Sequence, residues 1–167
     1  AFRANHLADT PEQADDYAHK VALDICDALR VCHENGICHR DIKPANILYG
    51  VTGDFYLGDF GVSQYTAAPD ATLTSSGTAR YAAPEQLIGR ADSRSDLYSL
   101  GLVLYELTNH WRGPFLPAYP AKITAEDRYN AQCKRLAGDA LPPPDNCPPA
   151  LAAVVLKLCA PDPGDRY

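Results

Sequence analysis

Asp41, Lys43 and Asn46 fall together in the run HRDIKPAN at 39–46, and a second carboxylate, Asp59, follows Asp41 by 18 residues within Asp59-Phe60-Gly61. A carboxylate can aim and deprotonate a hydroxyl, and an ammonium can neutralise a transferring phosphate. Amide and carboxylate oxygens suit a hard divalent cation such as Mg²⁺. These are the parts of a phosphoryl-transfer site, where positioning and charge stabilisation matter more than covalent chemistry.

The elements around these residues follow from residue pattern. Thr10-Pro11-Glu12-Gln13 is a helix start, with Thr10 as N-cap, Pro11 at the first helical position and Gln13 completing a capping box. The spacing of Ala14, Ala18, Val21, Ala22, Ile25, Ala28, Leu29 and Cys32 predicts a helix to about Glu34, stopped by Asn35-Gly36. Short apolar runs at 47–51 and 55–57 flank Thr52-Gly53-Asp54 and predict a hairpin with Asn46 and Asp59 at its open ends. Residues 62–80 lack periodicity and read as a long mobile loop of the kind kept for function.

From 92 to 108 helical period returns, with Leu97, Leu100, Gly101, Leu104 and Leu107 facing inward, as expected of a buried central helix. A Pro- and aromatic-rich surface segment follows at 111–119, then a polar helix at about 125–137. Pro142-Pro143-Pro144 reads as a stiff extended connector, and Pro148-Pro149 opens a last helix ending near Cys159.

The 167 residues, 46% hydrophobic, suit one globular unit that buries roughly 70% of its unfolded surface. Lys and Arg total 15 against 21 Asp and Glu, so a net charge of -6 provides no basic field for nucleic acid or an anionic membrane. Cys26, Cys32, Cys38, Cys133, Cys147 and Cys159 lack the paired short spacings of a zinc site and read as free thiols of a reducing cytosol. No run approaches the ~20 apolar residues of a membrane span. A cytoplasmic segment without membrane contact is expected.

HRDIKPAN, LGDFG at 57–61, GTARYAAPE at 77–85 and SDLYSLGLVLYEL at 95–107 resemble the eukaryotic-type protein kinases, nearest to the serine/threonine kinases of bacteria. Four ordered blocks at workable spacing make the resemblance specific, and it covers nearly the whole chain. It implies a mainly α (α+β) fold, the kinase carboxy-terminal lobe, helical with a small β-hairpin beside the catalytic loop. It also implies ATP and Mg²⁺ as cofactors and protein Ser/Thr hydroxyls as substrates, with autophosphorylation possible in the parent.

Carried over residue by residue, the resemblance makes Asp41 the catalytic base, Lys43 a phosphate contact typical of serine/threonine kinases, and Asn46 and Asp59 the metal ligands. Phe60 packs and Gly61 permits the turn presenting Asp59. Arg40 implies control by a phosphate on the loop, with Thr72, Thr74, Ser75 and Ser76 as acceptors. Thr78 resembles the threonine that helps receive a Ser/Thr substrate. Glu85 and Arg166 match a buried ion pair, Asp96 the helix aspartate that holds the HRD backbone, and His39 a packed, hydrogen-bonded histidine.

The amino-terminal lobe of such kinases carries a Gly-rich loop, a strand lysine and a helix glutamate. Only 38 residues precede His39 and no G-x-G-x-x-G occurs, so residues 1–167 are expected to be the carboxy-terminal lobe alone, partial at both ends and inactive in isolation. Two other readings stand beside the kinase: a pseudokinase or scaffold module without turnover, and a small-molecule phosphotransferase. GTARYAAPE and the SDLYSLG helix, which resemble a protein-substrate platform, weigh against the second.

Overall fold

The computed structural model describes residues 11–61, 64–65 and 80–167, with side chains omitted at 11–14 and 64–65. Thr10 and the side chain of Gln13 lie outside that description, so the expected capping box does too. Helix α1 spans Pro11–Glu34. Ala18, Val21, Ile25 and Leu29 are fully buried along one stripe, while Leu23 and Val31 on the other side are exposed. Gly36, at φ 72°, turns the chain into β1, Ile37–Cys38.

A 3₁₀ turn at Pro44–Asn46 leads into β2, Ile47–Tyr49, which pairs antiparallel with β3, Phe55–Leu57, in the register Ile47 to Leu57. The hairpin is shorter than its apolar pattern: Val51 lies in the turn and is fully exposed. Alternation puts Ile47 and Phe55 in the core and Leu48 and Tyr56 outside. Within 62–80, where a structureless loop is expected, β4 at Gln64–Tyr65 pairs with β1. Two residues of ladder are too short to leave a period in sequence.

Helix α2, Ser93–Leu107, is the centre of the molecule, packed against α1 and against α4, Pro149–Leu158. Asp92 caps it by accepting from the Arg94 amide, and Ser95 Oγ accepts from the Asp92 amide. Twelve of its 15 residues are buried, including Ser95, Asp96 and Glu106, so the helix is enclosed rather than amphipathic. At Gly101 a Cβ would lie 2.7 Å from Cys159 Sγ and 2.8 Å from Leu158 Cβ, which sets how closely α2 and α4 cross. Helix α3, Ala125–Ala137, begins at a Thr124–Asp127 capping box and ends at Gly138.

The segment 111–119 is not a simple surface stretch. Arg112 and Pro114 are buried, and the Arg112 guanidinium donates to the carbonyls of Pro117, Ala118 and Ala121. One cation thus satisfies a proline-interrupted backbone that no strand or helix could satisfy. All six cysteines are free thiols. No described helix is long and apolar enough to cross a membrane.

Candidate active site

The loop between β1 and β2 carries HRDIKPAN, and α2 holds it from beneath. Asp96 is fully buried, and its carboxylate accepts the His39 amide at 2.8 Å and the Arg40 amide at 2.7 Å. His33 Nε2, from the end of α1, lies 2.9 Å from the same carboxylate. On the other side the Arg40 carbonyl accepts from Gln86 Nε2 at 2.6 Å. Arg40 has φ 65°, a left-handed conformation that costs a non-glycine residue about 1–3 kcal/mol. Bonds to both its N–H and its C=O keep it there.

That turn delivers Asp41. Its Oδ2 accepts from Lys43 Nζ at 2.7 Å and from Asn46 Nδ2 at 3.0 Å, and Asn46 Nδ2 also reaches the Asp41 carbonyl at 2.8 Å. Asp41 Oδ1 has no hydrogen-bond partner among the described residues. The cluster is largely buried, with Lys43 the most exposed member. A carboxylate fixed through one oxygen, with the other spare, can accept a proton from a hydroxyl placed against it.

His39 is fully buried, and its ring is polarised by two bonds. Nδ1 accepts from the Asp41 amide at 3.3 Å, so the proton resides on Nε2 and is donated to the Gly58 carbonyl at 3.1 Å. His39 therefore ties the HRDIKPAN loop to the residue before Asp59. The Gly58 amide closes the hairpin by donating to the Asn46 carbonyl at 2.8 Å, which brings Asn46 and the segment 59–61 to the same end of the sheet. Asp24 of α1 anchors the hairpin by accepting the Phe55 amide at 2.8 Å, and Lys20 bridges Asp24 and Asp54.

Asp59 sits at φ 60°, exposed, with Oδ1 accepting from the Gly61 amide at 3.3 Å. Phe60 is half exposed and meets the His39 ring edge-on at 4.8 Å between centroids. Because its amide nitrogen is spent on Asp41, Asn46 presents Oδ1 as a spare oxygen among the described residues, and Asp59 likewise presents Oδ2. Two such oxygens fit a hard cation that keeps most of its water, as Mg²⁺ does. Among the described residues no group of three His, Cys, Asp or Glu forms a cage for a metal.

Glu85 and Arg166, 81 residues apart in sequence, form a bidentate pair with Nη1–Oε1 2.7 Å and Nη2–Oε2 3.0 Å. Arg166 donates further to the carbonyls of Ala160, Pro161 and Arg94, and Ser95 Oγ donates to Glu85 at 2.7 Å. Burial works against ionised Glu85. The bonds from Arg166, Ser95 and its own backbone outweigh that and hold the carboxyl below its ordinary range. Thr72, Thr74, Ser75, Ser76 and Thr78 lie outside the described residues.

Sequence alone did not mark His33, Gln86 or Asp24, each of which holds backbone of the site or its carboxylate anchor. None belongs to a spacing pattern, and their partners are 63, 46 and 31 residues away.

Comparison with known proteins settles the family. Residues 4–167 match the family described as "Protein kinase domain". The chain belongs to the protein kinases. It is 38% identical over 164 residues to serine/threonine-protein kinase PknB of Mycobacterium leprae (strain TN), covering 94% of this chain and 24% of that protein. Against the PknB of Mycobacterium tuberculosis (strain ATCC 25177 / H37Ra) it is 37% identical over 166 residues, 95% of this chain and 24% of the relative. The probable serine/threonine-protein kinase CE0033 of Corynebacterium efficiens is 38% identical over 162 residues, with 90% and 23% covered. The chain thus spans about a quarter of the length of these relatives, and it falls with the bacterial-like, eukaryotic-type serine/threonine kinases.

Proposed function

We infer that this chain is the carboxy-terminal lobe of a serine/threonine protein kinase whose parent protein transfers the ATP γ-phosphate to Ser or Thr hydroxyls of proteins. The observation that carries the reading is the Asp41 carboxylate, with Oδ2 fixed by Lys43 and Asn46 and Oδ1 spare among the described residues. In this reading Asp41 receives the substrate hydroxyl against Oδ1, aims it at the phosphate and takes its proton. Lys43, 2.7 Å from Asp41, turns its charge to the transferring phosphate and lowers the cost of bringing anions together.

Asn46 Oδ1 and Asp59 Oδ2 are the oxygens that would hold Mg²⁺. When bound, the cation supplies charge neutralisation at the phosphates. Arg40, Thr72, Thr74, Ser75 and Ser76 form the regulatory set, by which a phosphate on the loop orders the segment through the Arg40 guanidinium. Thr78 belongs to the substrate platform. Asp96, His39, Phe60, Gly61, Glu85 and Arg166 hold the site in place, and signal transduction by protein phosphorylation is the cellular role. The completeness of the Asp41 cluster favours turnover over a scaffold module.

The test is phosphoryl transfer by the full-length protein. Autophosphorylation at Ser or Thr from Mg-ATP is expected, with Asp41→Ala reducing the rate by about 10²–10⁴-fold while the fold is retained. Transfer confined to a small metabolite, or a rate insensitive to Asp41→Ala, overturns the reading.

A further inference from the structure

Beside the segment that leads from Arg80 to Glu85 lies a cavity of about 230 Å³, walled by α2, the loop at 113–116 and α3. Leu102, Leu116 and Ala131 give it an apolar floor, a water-poor lining between the charged groups. Among the described residues three arginines, Arg80, Arg128 and Arg135, line it with a single carboxylate residue, Glu106. Three positive charges less one negative leave a local balance of +2, in a chain whose net charge is -6. Pockets for drug-sized ligands run to roughly 300–1,000 Å³, so this one suits side chains rather than a cofactor.

The polar groups are not equally available. Glu106 is buried and both its oxygens are taken: Oε1 by Arg80, through Nε at 3.1 Å and a second bond from Nη2, and Oε2 by the Tyr81 hydroxyl at 2.7 Å. Arg135 is buried and spends Nη1 on the Ala82 carbonyl and the Tyr98 hydroxyl. Arg80 is different, because Glu106 grips one edge of its guanidinium and leaves Nη1 unbonded among the described residues. Arg128, exposed on α3, makes no side-chain hydrogen bond or ion pair among the described residues. Among the described residues the cavity therefore offers spare donors and no spare carboxylate oxygen.

We propose that this cavity docks an acidic side chain of a protein substrate, its carboxylate on Arg80 and Arg128 and a neighbouring apolar side chain on the floor of Leu102 and Leu116. Holding Arg80 by Glu106 fixes its fork before the ligand arrives, so little side-chain entropy remains to be lost on binding. An arginine on the incoming peptide would meet Arg80 and Arg128 and would have to displace Arg80 from Glu106. The pocket thus selects acidic over basic sequence. The inference rests on the protein-kinase reading only in placing the peptide, since Arg80 lies two residues beyond Thr78.

Binding, measured without catalysis, tests it. Fluorescein-labelled peptides carrying Ser followed by Glu and Leu, with Gln or Arg in place of Glu as counterparts, are titrated against the full-length protein by anisotropy. The Glu peptide is expected to bind at least about tenfold more tightly than the Gln peptide, with Arg weakest and the preference reduced by salt. Arg128→Glu should erase the preference and Arg128→Lys should keep part of it. Equal binding of the Glu and Gln peptides, or an unchanged preference in Arg128→Glu, overturns the proposal. Phosphorylation with no acid preference defeats the pocket and leaves the kinase reading standing. An Arg128-dependent acid preference in a protein that transfers no phosphate sustains the pocket and defeats the kinase reading.

Discussion

The carboxylate of Asp96 accepts the backbone N–H of Arg40 at 2.7 Å, and it does so from the fully buried interior of α2. A side chain of the central helix thereby fixes the left-handed residue that turns Asp41 toward its partners. The anchor's rigidity comes from the best-packed element of the fold, so loop geometry and core stability are coupled.

Removing that anchor tests the coupling. Asp96→Ala leaves the amides of His39 and Arg40 without their acceptor, at about 1–3 kcal/mol each. Urea denaturation should show a loss of about 2–6 kcal/mol. An effect no greater than that of an exposed substitution such as Glu126→Ala would deny Asp96 this part.

Acid should weaken the Glu85–Arg166 pair in a defined direction. The folded Glu85 carboxyl is held below its ordinary range, so its stabilisation is complete above the unfolded pKa of about 4.3 and is lost as pH falls through the lower folded value. At neutral pH Glu85→Gln should cost about 3–5 kcal/mol, because Arg166 is left buried without its counter-charge. The gap between the native chain and Glu85→Gln should narrow as pH drops below about 4.3, read by denaturation at a series of pH values. A constant gap would contradict the pairing.

Gly101→Ala probes the crossing of α2 and α4. Its new methyl would meet Cys159 Sγ and Leu158 Cβ well inside van der Waals contact, so overpacking should cost about 1–3 kcal/mol. Adding Cys159→Ala should recover only part of the thermal midpoint, since Leu158 Cβ stays in place. A helix-favouring gain in stability would mean that the two helices part easily.

The thiols should separate by burial. Cys133 is exposed, whereas burial pushes the Cys38 thiol up to about 11 and the Cys159 thiol up to about 12. Native-state labelling followed by mass spectrometry should find Cys133 modified early and Cys38 and Cys159 only after unfolding. Rapid native labelling of Cys159 would show that the contact around Gly101 opens.

Much of this architecture can be read from residue order because its signals are local. The stripe from Ala18 to Leu29 and the stop at Asn35-Gly36 specify α1, and the helical period at 92–108 specifies α2. Asp41, Lys43 and Asn46 lie within one turn of chain, so their clustering needs no long-range pairing. The β1–β4 ladder left no trace, and the half-buried course of 111–119 depends on Arg112, whose role is set by carbonyls it meets only after folding.

Sequence by itself determined which chemistry is present: a carboxylate, an ammonium and two metal-competent oxygens at fixed spacing, on elements whose periods and caps are written locally. Tertiary structure decided which atoms remain available. Among the described residues Asp41 Oδ1 is spare because Lys43 and Asn46 converge on Oδ2, and Arg80 keeps an outer edge because Glu106, itself held by Tyr81 across 25 residues, grips its inner edge. Hydrogen-bond saturation is a property of packed neighbours, and no spacing along the chain records it.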